Sequence, residues 1–385
     1  MGLTMTRGSG VSVAQPERRG HAPPTTTRRE PDMTDKSDVT PGDPPSTGRE
    51  VRLAAVPTGL PTPEDFAFVE TPLPGSAEPG TVLVRNRYFL VFPGLSTLMG
   101  DQVDGVPLPP LRVGDPLFGP AIGQVVDAPD GSALRPGDTV MHMLGWRDHA
   151  VVPVDGCTVL GDVLPDPLAY FSQGMAAYGA FTRLAPIRKD DVVFVTGAAG
   201  AVGTLAGQMA RLLGAGRVIG STGSPDKAER LKAELGYDAV VLRGAEAGAG
   251  PVADQLAAAA PDGVDVVLDN VGGEQLVAAI GAARQGARFA LIGALSGQLA
   301  HRRPGGVAPV EIDTFRLVVK GISLRGFAGA DHQDVEAEWT ERFGGWLRSG
   351  EIRFPHTVIR GFDRAPHALP DLLGGRYFGT VIVEV

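Results

Sequence analysis

In this chain of 385 residues the side chains best placed to do chemistry gather at one turn, where VVFVTG runs into AAGAVG and sets glycines at Gly197, Gly200 and Gly203. Small residues at that spacing let the backbone approach a pyrophosphate, whose charge sits at a helix N-terminus. Such a pattern arises by chance in Ala- and Gly-rich sequence. Here its context speaks for function, because it follows a buried strand, opens a helix and begins a long alternating series. The next strand ends in Gly220-Ser221-Thr222-Gly223-Ser224, without the acid that binds the ribose hydroxyls of NAD. Lys227 and Arg243 follow. Each alone reads either as a solvated surface charge or as a partner for a 2′-phosphate, which suits the arginine fork. Together with the missing acid they favour NADPH.

The elements around this turn fall into two kinds. From Val51 the runs VRLAAV, TVLVRNRYFLVF, AIGQVVDA, DTVMHM and HAVVPV alternate or are β-branched, with Pro and Gly punctuation between them, and predict a compact β-rich domain. From Asp191 apolar strands alternate with amphipathic helices, from VVFVTGAAG through AVGTLAGQMARLLGA to ARFALIG, which predicts βαβ units and a parallel sheet covered on both faces. After about Lys320 the candidates ISLRGF and FGTVIVEV, around a helix containing EAEWTERFGGWLRSG, are expected to return and complete the first domain. Residues 1–49, rich in Pro, Thr, Ser, Gly and Arg without periodicity, read as a disordered tail. Met33 offers an alternative start.

Composition excludes several functions. With 35 basic against 44 acidic residues and a formal charge of -9, the body lacks the concentrated positive surface that nucleic acid requires. Cys157 is the only cysteine, so an internal disulfide and a cysteine-cluster metal site are ruled out, and no metal is expected. No uninterrupted apolar stretch of about 20 residues occurs, so no membrane span is expected. Neither Arg18-Arg19 nor Arg28-Arg29 is followed by an apolar export segment, which favours the cytoplasm. No G-x-S-x-G elbow supports hydrolysis.

Several segments in order carry a resemblance: QGMAAYGAF from Gln173, VTGAAGAVG from Val195, GSPDKAERLKAELGYDAVV, LDNVGGEQL from Leu268, LIGALS from Leu291 and the C-terminal GGRYFGTVIVEV. Residues 51–385 resemble the zinc-independent medium-chain dehydrogenase/reductase superfamily, in its prostaglandin reductase/leukotriene hydroxydehydrogenase-like branch of alkenal and quinone reductases. The resemblance implies an α/β fold: a Rossmann doubly wound parallel sheet at 165–320 plus a GroES-like β-rich domain from 50–164 and 321–385. It implies cofactor contacts from Gly200, Ala201, Val202 and Gly203, from Lys227, from Asn270 and Val271, and from Gly293, Ala294 and Leu295, with Phe327, Phe378 and Gly379 closing the cleft. A homodimer formed through the Rossmann edge is also implied.

On the substrate side the match breaks. Relatives carry a run like Val-Asp-Pro-Tyr-Met-Arg where this chain has Val91-Phe92-Pro93-Gly94-Leu95-Ser96, and a Tyr shortly after the turn where Ser296 is followed by Gly297, Gln298 and Leu299. The family's Thr in its LTAY segment is Ala176. Phe92, Gly94, Trp146 and Ser296 are candidate pocket residues. Tyr88 and His142 are candidate proton donors, since a phenol or a neutral imidazole can protonate an enolate. Gln298 could bind a carbonyl but is a poor acid. His301-Arg302-Arg303 could border the entrance or form a solvated loop. Three readings follow: NADPH-dependent reduction of a conjugated carbonyl compound or quinone, a small-molecule substrate in each case; a non-redox cyclase or isomerase on the same scaffold; or an NADPH-binding sensor.

Overall fold

A computed structural model describes residues 46–100, 103, 106, 108–244, 250–300, 307–329 and 332–385. The expected tail up to residue 45, with Met33 and the paired arginines, and the His301-Arg302-Arg303 patch lie outside the described residues. The first part folds as strands β1 (Thr47–Leu53), β2 (Phe66–Pro72), β3 (Thr81–Val91), β4 (Ala121–Asp127), β5 (Thr139–His142), β6 (His149–Pro153) and β7 (Thr158–Val159), with a short helix α1 (Gly94–Thr97) after β3. There follow α2 (Gly174–Gly179), β8 (Val192–Val195), α3 (Ala201–Leu212), β9 (Arg217–Thr222), α4 (Pro225–Leu235), β10 (Ala239–Leu242), α5 (Val252–Ala259), β11 (Val264–Asp269), α6 (Gly273–Ala282), β12 (Ala283–Leu291), α7 (Leu295–Gln298), α8 (Thr314–Lys320) and β13 (Ser323–Gly326). The chain closes with α9 (Gln333–Ser349), β14 (His356–Arg360), α10 (Ala365–Leu373) and β15 (Thr380–Glu384).

The expected α/β class is present: a Rossmann doubly wound sheet with a GroES-like β-rich part. The parallel sheet runs β10-β9-β8-β11-β12-β13, so its strand order reverses between β8 and β11. In open sheets of this kind ligands bind beyond the carboxyl ends of the strands at that reversal. The other large sheet runs β14-β15-β3-β4-β5-β7, with β6 also paired to β3. One core joins them: Tyr88, Leu90 and Ile382 of the β-rich sheet pack in the same buried cluster as Val193, Leu205, Val266 and Leu268.

Two boundaries differ from the sequence expectation. Thr47, Gly48 and Arg49 are already strand, because β1 pairs with β2 from Thr47↔Pro72 onward and buries Val51 and Leu53. ISLRGF does not return to the β-rich part: as β13 it pairs in parallel with β12, from Arg288↔Ser323 to Leu291↔Gly326. α9 stays with that sheet too, burying Val335, Trp339 and Phe343 against Phe171, Tyr178 and Leu205. Only β14 and β15 return. A short strand carries no mark of its sheet, because the pairing partner is set by the crossover before it.

Candidate active site

At the end of β8 the backbone turns sharply, with Gly197 at φ 62°. Its amide donates to Ser221 Oγ at 3.0 Å, and the Ala198 amide to Ser221 O at 2.8 Å, so the turn is tied to the end of β9. A Cβ on Gly203 would lie 2.5 Å from Ala198 Cα and Gly197 O, so only glycine lets α3 start this close to the turn. Beneath it Asp269 is buried and accepts from Thr196 Oγ1 at 2.6 Å, from the Val271 amide at 3.1 Å and from the Gly272 amide at 3.0 Å. Thr196 in turn accepts from the Asn270 amide at 2.8 Å, and its carbonyl from Asn270 Nδ2 at 2.6 Å. The carboxyl ends of β8 and β11 are thereby fixed to each other.

These segments border a cavity of about 480 Å³. Gly197, Gly200, Ala201, Val202, Gly203, Gly223, Lys227, Arg243, Asn270, Gly293 and Leu295 line it, as do Phe92, Gly94, Gln298 and Gly379. α4 positions Lys227: Ser224 caps the helix by accepting from the Lys227 amide, Pro225 occupies the first turn, and Gly236 ends it in left-handed conformation. Lys227 Nζ donates to Gly375 O and Tyr377 O, both at 2.5 Å. Burial pushes the Lys227 pKa down, with repulsion from Arg243 and then Arg230 adding to it. Arg243 lies beside Gly223, where a Cβ would meet its guanidinium at 3.8 Å. Two cations thus stand at one end of the cavity, and among the described residues no acid lines it.

Of the other expected residues, Val271, Ala294, Phe327 and Phe378 do not line this cavity. Val271 is buried, its side chain 3.3 Å from the Cβ position of Gly197, whereas Ala294 is exposed. Phe327 packs on Gly179, whose Cβ position is 2.5 Å from its ring, and stacks on His332 at 4.7 Å. Phe378 is buried under the Arg230 guanidinium, 3.9 Å from the ring centroid. Gly379 is pinned between parts of the fold: its amide donates to Ala199 O at 2.9 Å, and a Cβ there would lie 2.1 Å from Pro355 O.

Four further expected residues, Tyr88, His142, Trp146 and Ser296, also lie outside the cavity lining. Tyr88 is buried in the shared core, with its hydroxyl 3.5 Å from Glu384 Oε1, and burial followed by the Glu384 charge pushes its pKa up. His142 is 3% exposed; its Nδ1 accepts from the Leu144 amide at 3.1 Å, which leaves Nε2 to donate to Asn86 Oδ1 at 2.9 Å. Burial, with Arg147 second, lowers its pKa to about 4. Neither of these candidate proton donors reaches the cavity: the His142 side chain is buried within the fold and bonded to Asn86 and Leu144. Trp146 is fully buried against Phe66 and Phe89, which fixes MLGW in an apolar core. Ser296 lies against Gly272 and Gly273, outside the cavity lining. The structure adds Gln173, Leu299, Leu372, Leu373, Tyr377 and Val381 to the lining. Gln173 and Tyr377 stood inside quoted motifs, and the apolar spacing of Ala368, Leu369, Leu372 and Leu373 after Pro366 was the available signal for α10.

An open parallel sheet with a glycine turn at its reversal, a cavity above it and cations at one end defines a dinucleotide-binding oxidoreductase class. Residues 49–160 match the N-terminal domain of oxidoreductase family, and residues 201–343 the zinc-binding dehydrogenase family. The chain is 30% identical to the NADPH-dependent curcumin reductase of Escherichia coli (strain K12), over 86% of this chain and 95% of that protein. It is 31% identical to prostaglandin reductase 1 of Mus musculus, over 85% and 95%. A crystal structure of CurA from Vibrio vulnificus in complex with NADPH superposes with a TM-score of 0.76 at 28% identity, covering 88% of this chain and 99% of that one. The chain belongs to the medium-chain dehydrogenase/reductase superfamily, in its zinc-independent reductase branch. Among the described residues no group of three or more His, Cys, Asp or Glu side chains could hold a metal, and no helix is long and apolar enough to cross a membrane.

Proposed function

We propose that this NADPH-dependent oxidoreductase reduces the carbon-carbon double bond of an α,β-unsaturated carbonyl compound, or a quinone. The observation that carries the reading is the continuity of one cavity from the cation pair Lys227 and Arg243, past the Gly197–Gly203 turn, to the apolar segment Val91, Phe92 and Pro93. The residues fit the cofactor. Gly203 admits a close backbone, the first amides of α3 have no acceptor within the helix, and the cations stand where a 2′-phosphate would relieve their mutual repulsion. When bound, NADPH supplies a hydride. The chain's own part is to hold both reactants in register, exclude water with Phe92, Leu299 and Val381, and stabilise charge developing on the carbonyl oxygen. The relatives named curcumin reductase and prostaglandin reductase support this chemistry.

In this reading the GroES-like part, 50–164 with the C-terminal strands, is the substrate side and the Rossmann sheet the cofactor side. A homodimer would form across β13, the outer edge of the parallel sheet, next to the exposed Phe315, Val318 and Val319 of α8. The cytoplasm is the compartment, in keeping with the free thiol of Cys157. The experiment is NADPH consumption with a panel of enones, enals and quinones. Steady oxidation tied to a product two hydrogens heavier supports the reading. Tight NADPH binding with no consumption, or a product of unchanged mass, overturns it.

A further inference from the structure

Reducing a conjugated carbonyl drives an electron pair onto the carbonyl oxygen, and in a cleft that excludes water this oxygen needs a fixed donor. Tyr88 and His142 are committed elsewhere. Most polar side chains that line the cavity are committed as well. Asn270 Nδ2 donates to Thr196 O, Gln298 Nε2 to Thr97 Oγ1 at 3.3 Å, and the Tyr377 hydroxyl to Asp371 Oδ2 at 3.1 Å. Arg243 stands beside Gly223, at the far end.

Gln173 is different. It lines the cavity, is half-buried, and its carboxamide has no hydrogen-bond partner among the described residues. The backbone that carries it is held on both sides. Asp166 caps the preceding turn, accepting from the Leu168 amide at 2.9 Å, and Ser172 Oγ accepts from Trp339 Nε1 at 3.3 Å. A Cβ on Gly174 would lie 2.3 Å from the Trp339 ring, so the chain cannot slide. α2, which Gln173 opens, is anchored at Gly179 against Phe327, whose amide donates to Leu291 O at 2.9 Å, at the end of the strand leading to Gly293 and Leu295. An immobile backbone with an uncommitted amide is what a preorganised donor requires.

We infer that Gln173 binds the carbonyl oxygen of the substrate, and that the site therefore takes neutral conjugated aldehydes, ketones or quinones rather than conjugated carboxylates. This rests on the reductase reading above. As hydride is delivered to the β carbon, the alkene's electron pair moves through the α carbon onto the carbonyl oxygen, and Gln173 Nε2 donates a hydrogen bond to it. A proton from solvent adds to the α carbon once the cleft reopens, which balances one hydride and one proton against one double bond. The carboxamide stabilises the oxygen but supplies no proton. Among the described residues the same cavity is lined by the apolar Val91, Phe92, Leu295 and Leu299, and its cations Lys227 and Arg243 are taken in this reading by the cofactor's phosphate, which leaves none to offset the desolvation of a carboxylate.

The test compares wild type, Gln173→Leu and Gln173→Glu for NADPH consumption with 3-buten-2-one, with NADPH affinity measured on each. The expected result is a fall of about 10²-fold in kcat/KM for Gln173→Leu, as for loss of one oxyanion donor, with NADPH affinity unchanged. Gln173→Glu should be slower still in alkaline buffer and recover as the pH falls and its carboxyl becomes a donor. A purely structural role would not produce that recovery. Activity of Gln173→Leu equal to wild type, a loss in Gln173→Glu that is flat with pH, or parallel loss of NADPH affinity would each overturn the inference. Wild type that binds NADPH but consumes none would instead remove the reductase reading beneath it.

Discussion

At the scale of single residues, two cations and one imidazole make opposite use of charge. Lys227 and Arg243 crowd one end of the cavity, and among the described residues no carboxylate lines it, so an arriving phosphate finds a site already charged for it. Replacing both by Ala should weaken NADPH binding by about 10²-fold or more, a charge-assisted hydrogen bond contributing about 1.5–3 kcal/mol, and leave NADH affinity nearly unchanged. Fluorescence titration with the two nucleotides reads this directly, and equal weakening of both would show that the pair serves the fold instead. His142 is neutral by design of its surroundings. Burial and Arg147 hold its pKa at about 4, below the ordinary value for a histidine in an unfolded chain, so the folded state resists binding a proton that the unfolded chain accepts. The stability this neutral form contributes is present above about pH 6.5 and is lost as the pH falls towards 4. Over that window wild type should lose on the order of 3 kcal/mol more than His142→Gln, as followed by chemical unfolding at several pH values. Parallel curves would show that His142 does not titrate differently on folding.

At the scale of elements, the segment from α10 to β15 acts as a clamp on the glycine turn. Lys227 holds it through Gly375 O and Tyr377 O, and Gly379 holds the turn through Ala199 O. Gly375 and Gly379 both have positive φ, 70° and 78°, so alanine at either is strained by about 1–2 kcal/mol. They differ in space: nothing lies near a Cβ on Gly375, whereas on Gly379 it would strike Pro355 O at 2.1 Å. Gly379→Ala should therefore lose clearly more thermal stability than Gly375→Ala and also weaken NADPH binding. Equal losses in melting would mean that the clamp yields without cost. The elements themselves were largely legible. The strands after Asp191 and the helices between them follow from their period, and α4 carries its Ser224 cap, Pro225 and terminal Gly236 in plain sequence. β13 was misplaced because Ser323–Gly326 has no feature that names its neighbour. α10 was not singled out because its apolar positions are spread around Pro370, inside the helix.

At the scale of the whole molecule, β13 leaves one edge of the parallel sheet without a described partner strand, and Phe315 and Val318 of α8 are 75% and 78% exposed. An open edge beside exposed apolar side chains favours association with a second copy. Light scattering should find a dimer, and Phe315→Glu with Val318→Glu should shift it to monomer while the secondary structure is retained. A wild-type monomer at all concentrations would rule the interface out.

What the sequence determined by itself was the path of the chain and the cofactor end of the cavity. Periodicity encodes strands and helices locally, and a turn such as Gly197 to Gly203 works through backbone geometry that neighbouring residues impose. The lack of an acid after β9, together with Lys227, is likewise a local fact. The substrate end was decided only in three dimensions. Whether His142 or Gln173 meets the cavity depends on which face of β5 packs inward and on how Trp339, 166 positions further along than Gln173, wedges against Gly174. Both outcomes are set by packing between segments distant in sequence, and such contacts leave no spacing rule for a sequence to display.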